Sequence, residues 1–241
     1  MDDLEHRLAS LRARIDTACA QAGRSPGTCR LLAVSKTRDI AEIRSAALLG
    51  QADFGENYVQ EALPKITALA GLAAPPGGIH WHLIGPLQAN KTRVVAEHFA
   101  WVHSLDRERI ARRLNDQRPA RLPPLDVCIQ VNLDGEASKS GVAPADVRAL
   151  ATVVVGLPHL RLRGLMTIPR PDQSAAADNA YARLAQTMQE LAGTIPGLDS
   201  TMFNTLSMGM SDDFELAIAH GATWVRIGTA LFGARPPKPK T

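Results

Sequence analysis

A chain of 241 residues, 45% hydrophobic and 21% charged, can bury a large core, which excludes a disordered chain and a minimal domain stapled by disulfides. Its formal charge of +3 is owed in part to the terminal RPPKPKT, a solvated end in which no core can form, so no nucleic-acid partner is expected. No run of about 18 apolar residues occurs and MDDLEHRLASLRARI has no apolar signal core, so the expectation is a cytoplasmic protein without a membrane partner.

In chain order, Leu4, Leu8, Leu11, Ile15 and Cys19 recur at helical spacing and predict an amphipathic helix ending at Gly23. Eight short apolar runs follow, each closed by a polar or glycine corner: LLAVSK, ADFGEN, IHWHLIG, FAWVHSLD, LDVCIQVN, LRLRGLMTI, FNTLSMG and TWVRIGT. Helical patterns fill the gaps, among them Ile40, Ile43 and Ala47; Val59, Leu63 and Ile66; Ile110 and Leu114; Tyr181, Leu184 and Met188. Strand and helix alternate throughout, which calls for a parallel sheet with crossover helices. Eight repeats in this length predict an α/β fold of the TIM type, a single (β/α)8 barrel domain over residues 1–241, with 236–241 as a disordered tail. The extra N-terminal helix is placed to cover the barrel floor. An open doubly wound sheet is the alternative. Pro64, inside the second helical pattern, predicts a kink or a restart there. Cys19, Cys29 and Cys128 are odd in number and match no metal or CxxC spacing, which fits a reducing compartment.

In a parallel barrel the chemistry sits at the C-terminal ends of the strands. Lys36 ends the first run. Partial burial in a barrel mouth disfavours its charged form, and a neutral amine can attack a carbonyl to form a Schiff base. The bland reading is a lysine that reaches water or pairs with a carboxylate such as Glu56. The corners SMGMSDD and RIGTALFG end the last two strands, where barrels commonly cup a phosphate; Ser207, Gly209, Ser211, Gly228 and Thr229 gather there. Arg226, two residues before Gly228, shares its face of the strand. A Schiff-base lysine with a phosphate cup suggests an aldehyde that carries a phosphate. Pyridoxal 5'-phosphate and a sugar phosphate both qualify, and the second keeps a lysine aldolase open.

The series LLAVSKTR, FGENYVQE, HWHLIGPLQANK, HSLD, VNLDGEASKSG, GLMTI and LSMGMSDDFELAIAHGATWVRIGTALFGAR, from about residue 30 to residue 235, resembles the YggS/PROSC-type pyridoxal phosphate homeostasis proteins. The resemblance implies a barrel of the alanine-racemase type that holds pyridoxal 5'-phosphate as a Schiff base on Lys36. By position it places Ser207, Gly228 and Thr229 around the cofactor phosphate and Arg226 against the pyridine nitrogen. Asn57, at the end of the second strand, lies beside Lys36 and is a candidate hydrogen-bonding partner of the cofactor. His80 and His82 fall on one strand face as paired metal ligands would, but no third ligand accompanies them and no metal is expected.

The fold type includes amino-acid racemases, whose two-base chemistry needs a second acid/base group opposite the lysine. The tyrosines here are Tyr58, after the FGEN corner, and Tyr181, in a helical pattern. Neither is an evident second base. The expectation is a monomeric carrier that hands the cofactor on, with apo-enzymes dependent on it as candidate recipients, and with a racemase or a lysine aldolase as the alternatives.

Overall fold

In the computed structural model, which describes residues 2–135, 140–169 and 174–234, the eight apolar runs become eight strands that close on themselves in chain order. They are β1 (Arg30–Val34), β2 (Asp53–Glu56), β3 (His80–Leu83), β4 (Trp101–Leu105), β5 (Leu125–Gln130), β6 (Leu160–Met166), β7 (Thr205–Ser207) and β8 (Trp224–Ile227). Every neighbouring pair is parallel, and β8 returns to β1 with Arg226 opposite Leu32 and Ile227 opposite Ala33. That closure rules out the open doubly wound sheet. The helices are α1 (Asp2–Gln21), α2 (Ile40–Leu48), α3 (Val59–Leu69), α4 (Thr92–His98), α5 (Glu108–Gln117), α6 (Val147–Val155), α7 (Ser174–Leu191), α8 (Phe214–Ala219) and α9 (Thr229–Phe232). Among the described residues no helix is long and apolar enough to cross a membrane. The tail 235–241 and residues 136–139 of the VNLDGEASKSG motif lie outside the described residues.

Alternation along the strands sorts the core into two layers. Leu31 and Ala33 face outward into the main cluster, where Phe54, Tyr181 and Phe214 are fully buried between sheet and helices. Leu32 and Val34 face inward and meet Ile84 and Trp224; Trp101, Cys128 and Met166 form a second inner group. Full burial of each large apolar side chain contributes on the order of 1.5–3 kcal/mol, so the outer layer supplies most of the stability. The inner layer also carries charge and imidazole, because Arg226, His82 and His103 are buried there as well.

Two expectations need correction. Helix α1 does not cover the floor: it packs along the barrel wall against α8, α9 and α2 through Leu8, Leu11, Ile15 and Ala18. The floor is lined instead by the link after it, at Arg24, Gly27 and Thr28. Its stop is as expected, with Gly23 at φ 70° just past the helix. Pro64 does not restart α3, which runs unbroken through it. The proline removes one amide donor, the partner that Gln60 would have had, and both residues lie on the exposed side where water can serve that carbonyl.

Candidate functional site

At the C-terminal ends of the strands the barrel opens into a cavity of about 320 Å³. Its wall includes Lys36, Arg38 and Asn57 from the first two corners, Ile84 and Ile168 from the rim, and Met210, Ser211, Asp212, Arg226, Gly228 and Thr229 from the last two. Ligand pockets run from roughly 300 to 1,000 Å³, so this one suits a small molecule. Lys36, Arg38 and Arg226 line it beside the carboxylate of Asp212, with Arg38 also paired to Glu42 Oε1 at 3.2 Å, and the remaining excess of basic side chains favours an anion. A larger cavity, about 680 Å³, lies at the opposite end of the barrel among the strand starts, including Arg30, Asp53 and Trp224. The chemistry of parallel barrels belongs to the other end.

The corner that carries Lys36 is held from beneath. Ser35 donates from its amide to Gly55 O at 3.0 Å and from its hydroxyl to Glu56 Oε1 at 2.6 Å. Glu56 is fully buried, and burial pushes its carboxyl above the usual range while the Lys65 ammonium, 2.9 Å from Oε1, pulls it back. Lys65 also donates to Ser35 O at 2.9 Å and to Glu61 Oε1 at 2.6 Å, and Glu61 accepts from the amide of Thr37. Thr37 sits at φ 64°, a conformation costly for a β-branched residue, and these bonds hold it there. The chain then enters α2 through a capping box of Asp39 and Glu42. Lys36 is therefore presented, half-buried, on a clamped turn, while Glu56 is engaged by Lys65 and Ser35.

Asn57 follows β2 and lines the same wall; its Oδ1 is buried with no hydrogen-bond partner among the described residues. Gly85 lets this corner approach so closely, since a Cβ on it would lie 2.3 Å from Asn57 O. On the far side, the β7–β8 corners place Arg226: its amide donates to Gly209 O at 3.0 Å, with Gly209 at φ 92°. Arg226 Nη2 donates to Thr167 O at 2.8 Å and Nη1 to Ser207 Oγ at 3.0 Å. Burial lowers the pKa of this arginine from its ordinary value. Gly228 is the residue before α9, whose first intrahelical bonds are donated by Leu231 and Phe232 to Gly228 O. The amides of Thr229 and Ala230 thus have no acceptor within the helix.

Lys36, Asn57, Arg226, Gly228 and Thr229 are brought together in one cavity; Ser207 is not on its wall but beneath Arg226, fully buried. His80 and His82 both turn to Asp53 Oδ1, each at 3.1 Å, and do not stand free as ligands. Tyr58 is exposed, Tyr181 donates to Asp213 Oδ2 at 2.8 Å from the buried face of α7, and neither lines the cavity. Burial holds the thiols of Cys29, pushed up to about 12, and Cys128 in the protonated form. Sequence reasoning missed Arg38, which reaches over to Phe232 O at 3.2 Å and to Gly233 O and so fastens α9 to the Lys36 corner. It lies inside LLAVSKTR, but spacing alone gave no reason to single it out.

Residues 7–236 match the family model described as alanine racemase, N-terminal domain. The chain is 58% identical over 236 residues to the pyridoxal phosphate homeostasis protein of Pseudomonas aeruginosa, covering 98% of this chain and 97% of that one. It is 52% identical over 237 residues to the protein of that name from Escherichia coli K12, covering 98% of each. Among solved structures, PipY of Synechococcus elongatus with PLP bound is 39% identical with a TM-score of 0.82, covering 95% of this chain and 100% of that one. The alanine racemase of Corynebacterium glutamicum superposes with a TM-score of 0.61 at 16% identity, all of this chain on 62% of that one, which is a likeness of fold.

Proposed function

The chain belongs to the alanine racemase N-terminal domain family, among its pyridoxal phosphate homeostasis proteins, and from that membership we propose that it binds pyridoxal 5'-phosphate at the barrel mouth, serves the cofactor's homeostasis, and anchors it covalently through Lys36. The observation that carries this reading is the meeting of Lys36, Arg226, Gly228 and Thr229 on one cation-rich cavity. When bound, the cofactor supplies an aldehyde carbon that an amine can hold and a phosphate that demands donors. Lys36 is the amine on that wall, held on its clamped turn. Gly228, Thr229 and Ser211 offer amides and hydroxyls for the phosphate, and Asn57 Oδ1 offers a buried acceptor. Arg226, on the same wall, would meet the ring nitrogen as a donor. A guanidinium stays protonated in a protein, so it would leave that nitrogen unprotonated and the ring a weak electron sink.

A weak sink favours holding over turnover. Racemisation by two bases requires a second acid/base group within hydrogen-bond reach of the reacting carbon; Tyr58 points to solvent and Tyr181 is engaged by Asp213. We therefore read residues 1–241 as a single-domain, cytoplasmic, monomeric carrier without committed turnover, with cofactor-dependent apo-enzymes as the recipients. The test is borohydride reduction of the loaded protein followed by peptide mapping. The reduced cofactor is expected on Lys36, and Lys36→Ala should abolish covalent retention without loss of fold. Cofactor mapped to Lys65 or Lys91 refutes the assignment, and robust lysine-dependent racemisation of alanine or serine refutes the carrier reading.

A further inference from the structure

Between the mouth cavity and the floor, five side chains from five strands pass hydrogen bonds to one another through the barrel interior. Arg226 on β8 donates from Nη1 to Ser207 Oγ on β7 at 3.0 Å. Ser207 Oγ lies 2.7 Å from His103 Nδ1 on β4, and His103 Nε2 lies 3.0 Å from His82 Nδ1 on β3. His82 Nε2 lies 3.1 Å from Asp53 Oδ1 on β2, where His80 Nδ1 also arrives at 3.1 Å. Ser207, His103 and His82 are fully buried, and Arg226 is 4% exposed.

Counting donors fixes the direction of every bond. An arginine can only donate, and an ionised carboxylate can only accept. Burial pushes Asp53 up, yet the bonds from His80 and His82 outweigh it and hold the carboxyl well below its usual range, so it is ionised. Burial lowers His82 and His103, so each is a neutral ring with one N–H and one lone pair. Ser207, already accepting from Arg226, gives its one proton to His103 Nδ1; His103 gives Nε2–H to His82 Nδ1; His82 gives Nε2–H to Asp53. The reverse direction would set the lone pair of His82 Nε2 against the carboxylate. A carboxylate that selects an imidazole tautomer is a known device for aiming the group at the far end, and hydrogen bonds aligned this way strengthen one another in a low dielectric.

We propose that Asp53, His82 and His103 are positioning residues for Arg226: a chain of hydrogen bonds with a single donor direction, from the guanidinium at the mouth to the carboxylate at the floor, aims Arg226 into the cavity and sets how strongly it polarises what it meets there. Among the described residues no carboxylate pairs directly with Arg226; Asp213, held by Tyr181, acts on it through space alone, and the chain joins this buried cation to the carboxylate of Asp53 through hydrogen bonds. That the group met is the cofactor ring rests on the function proposed above.

The test has one arm that needs no cofactor. Long-range proton–nitrogen correlation spectra of the full chain with 15N-labelled histidine report ring tautomers. Both His82 and His103 are expected as neutral Nε2–H forms; an Nδ1–H or a protonated ring at either overturns the chain's direction. The second arm cuts the chain with His82→Phe, which keeps an aromatic ring where His82 stacks on Trp101 at 5.5 Å and leaves the cavity wall untouched. His103, with no acceptor left for its Nε2–H, is expected to switch to the Nδ1–H form. The protein loaded with pyridoxal phosphate is expected to shift its absorption maximum and to bind about tenfold more weakly. An unchanged spectrum and affinity overturn the positioning role whatever the rings do, because a merely structural network would move stability alone. Should His82→Phe fail to fold, Ser207→Ala cuts the chain at its upper end and is read by the same spectrum and affinity. A protein that takes up no cofactor in any form refutes the proposed function, and the tautomers of the parent chain still decide the direction of the chain.

Discussion

Gly85→Ala adds one methyl group at the β3 corner, against the β2 corner that carries Asn57, the proposed cofactor contact. The backbone torsion at Gly85 is not in the left-handed region, so alanine is permitted there and the effect is steric alone. The new Cβ would stand 2.3 Å from Asn57 O, 2.7 Å from its Cα and 2.9 Å from its carbonyl carbon. All three are backbone atoms, and no rotamer change can relieve them. Overpacking of this kind costs about 1–3 kcal/mol, and a midpoint near 2 kcal/mol corresponds to a fall in Tm of roughly 4–8 °C for a chain of this size. The relaxation that is open moves the β2 corner outward and takes Asn57 with it, so affinity for pyridoxal phosphate should fall together with stability. Urea denaturation and a fluorescence titration with the cofactor measure the two. Gly71→Ala is the control: nothing lies within 4 Å of its Cβ, and a change below about 0.5 kcal/mol is expected. If Gly85→Ala matches Gly71→Ala in both assays, the close approach of the two corners is refuted.

Gly228→Asp places bulk and negative charge at the proposed phosphate corner, and a direct titration should show affinity reduced more than tenfold, about 1.4 kcal/mol; unchanged affinity puts the cup elsewhere. The depressed pKa values of His82 and His103 make a stability contribution that is fully present above the unfolded value of about 6.5 and lost as pH falls toward the folded values, by up to about 1.4 kcal/mol per pH unit for each ring. Replacing His103 with Gln should therefore flatten the decline in unfolding free energy between about pH 7 and 5.5, measured by urea denaturation at each pH, and an equal or steeper decline in the variant contradicts the buried neutral ring. Sedimentation should return a monomer near 25.9 kDa, and a stable dimer at micromolar concentration defeats that part of the reading.

By itself, the sequence determined the barrel and its working end. Eight apolar runs separated by helical patterns admit few topologies, and strand direction alone puts Lys36, Asn57, Arg226, Gly228 and Thr229 at one rim, because side-chain alternation and chain polarity are local properties. The placement of α1 was not legible, since an amphipathic stripe says that a helix covers something without saying what; only packing set it against α8 and α9. The restart that Pro64 left open does not occur, for a related reason: the cost of a missing amide depends on whether the orphaned carbonyl meets water, which is a matter of tertiary exposure. The buried chain from Arg226 to Asp53 was beyond the sequence altogether. Its members sit on five strands, His103 lies 104 positions from Ser207, and residues so far apart come within hydrogen-bond reach only because the sheet closes. Closure also buries them, and burial is what keeps the two imidazoles neutral and gives the chain its direction.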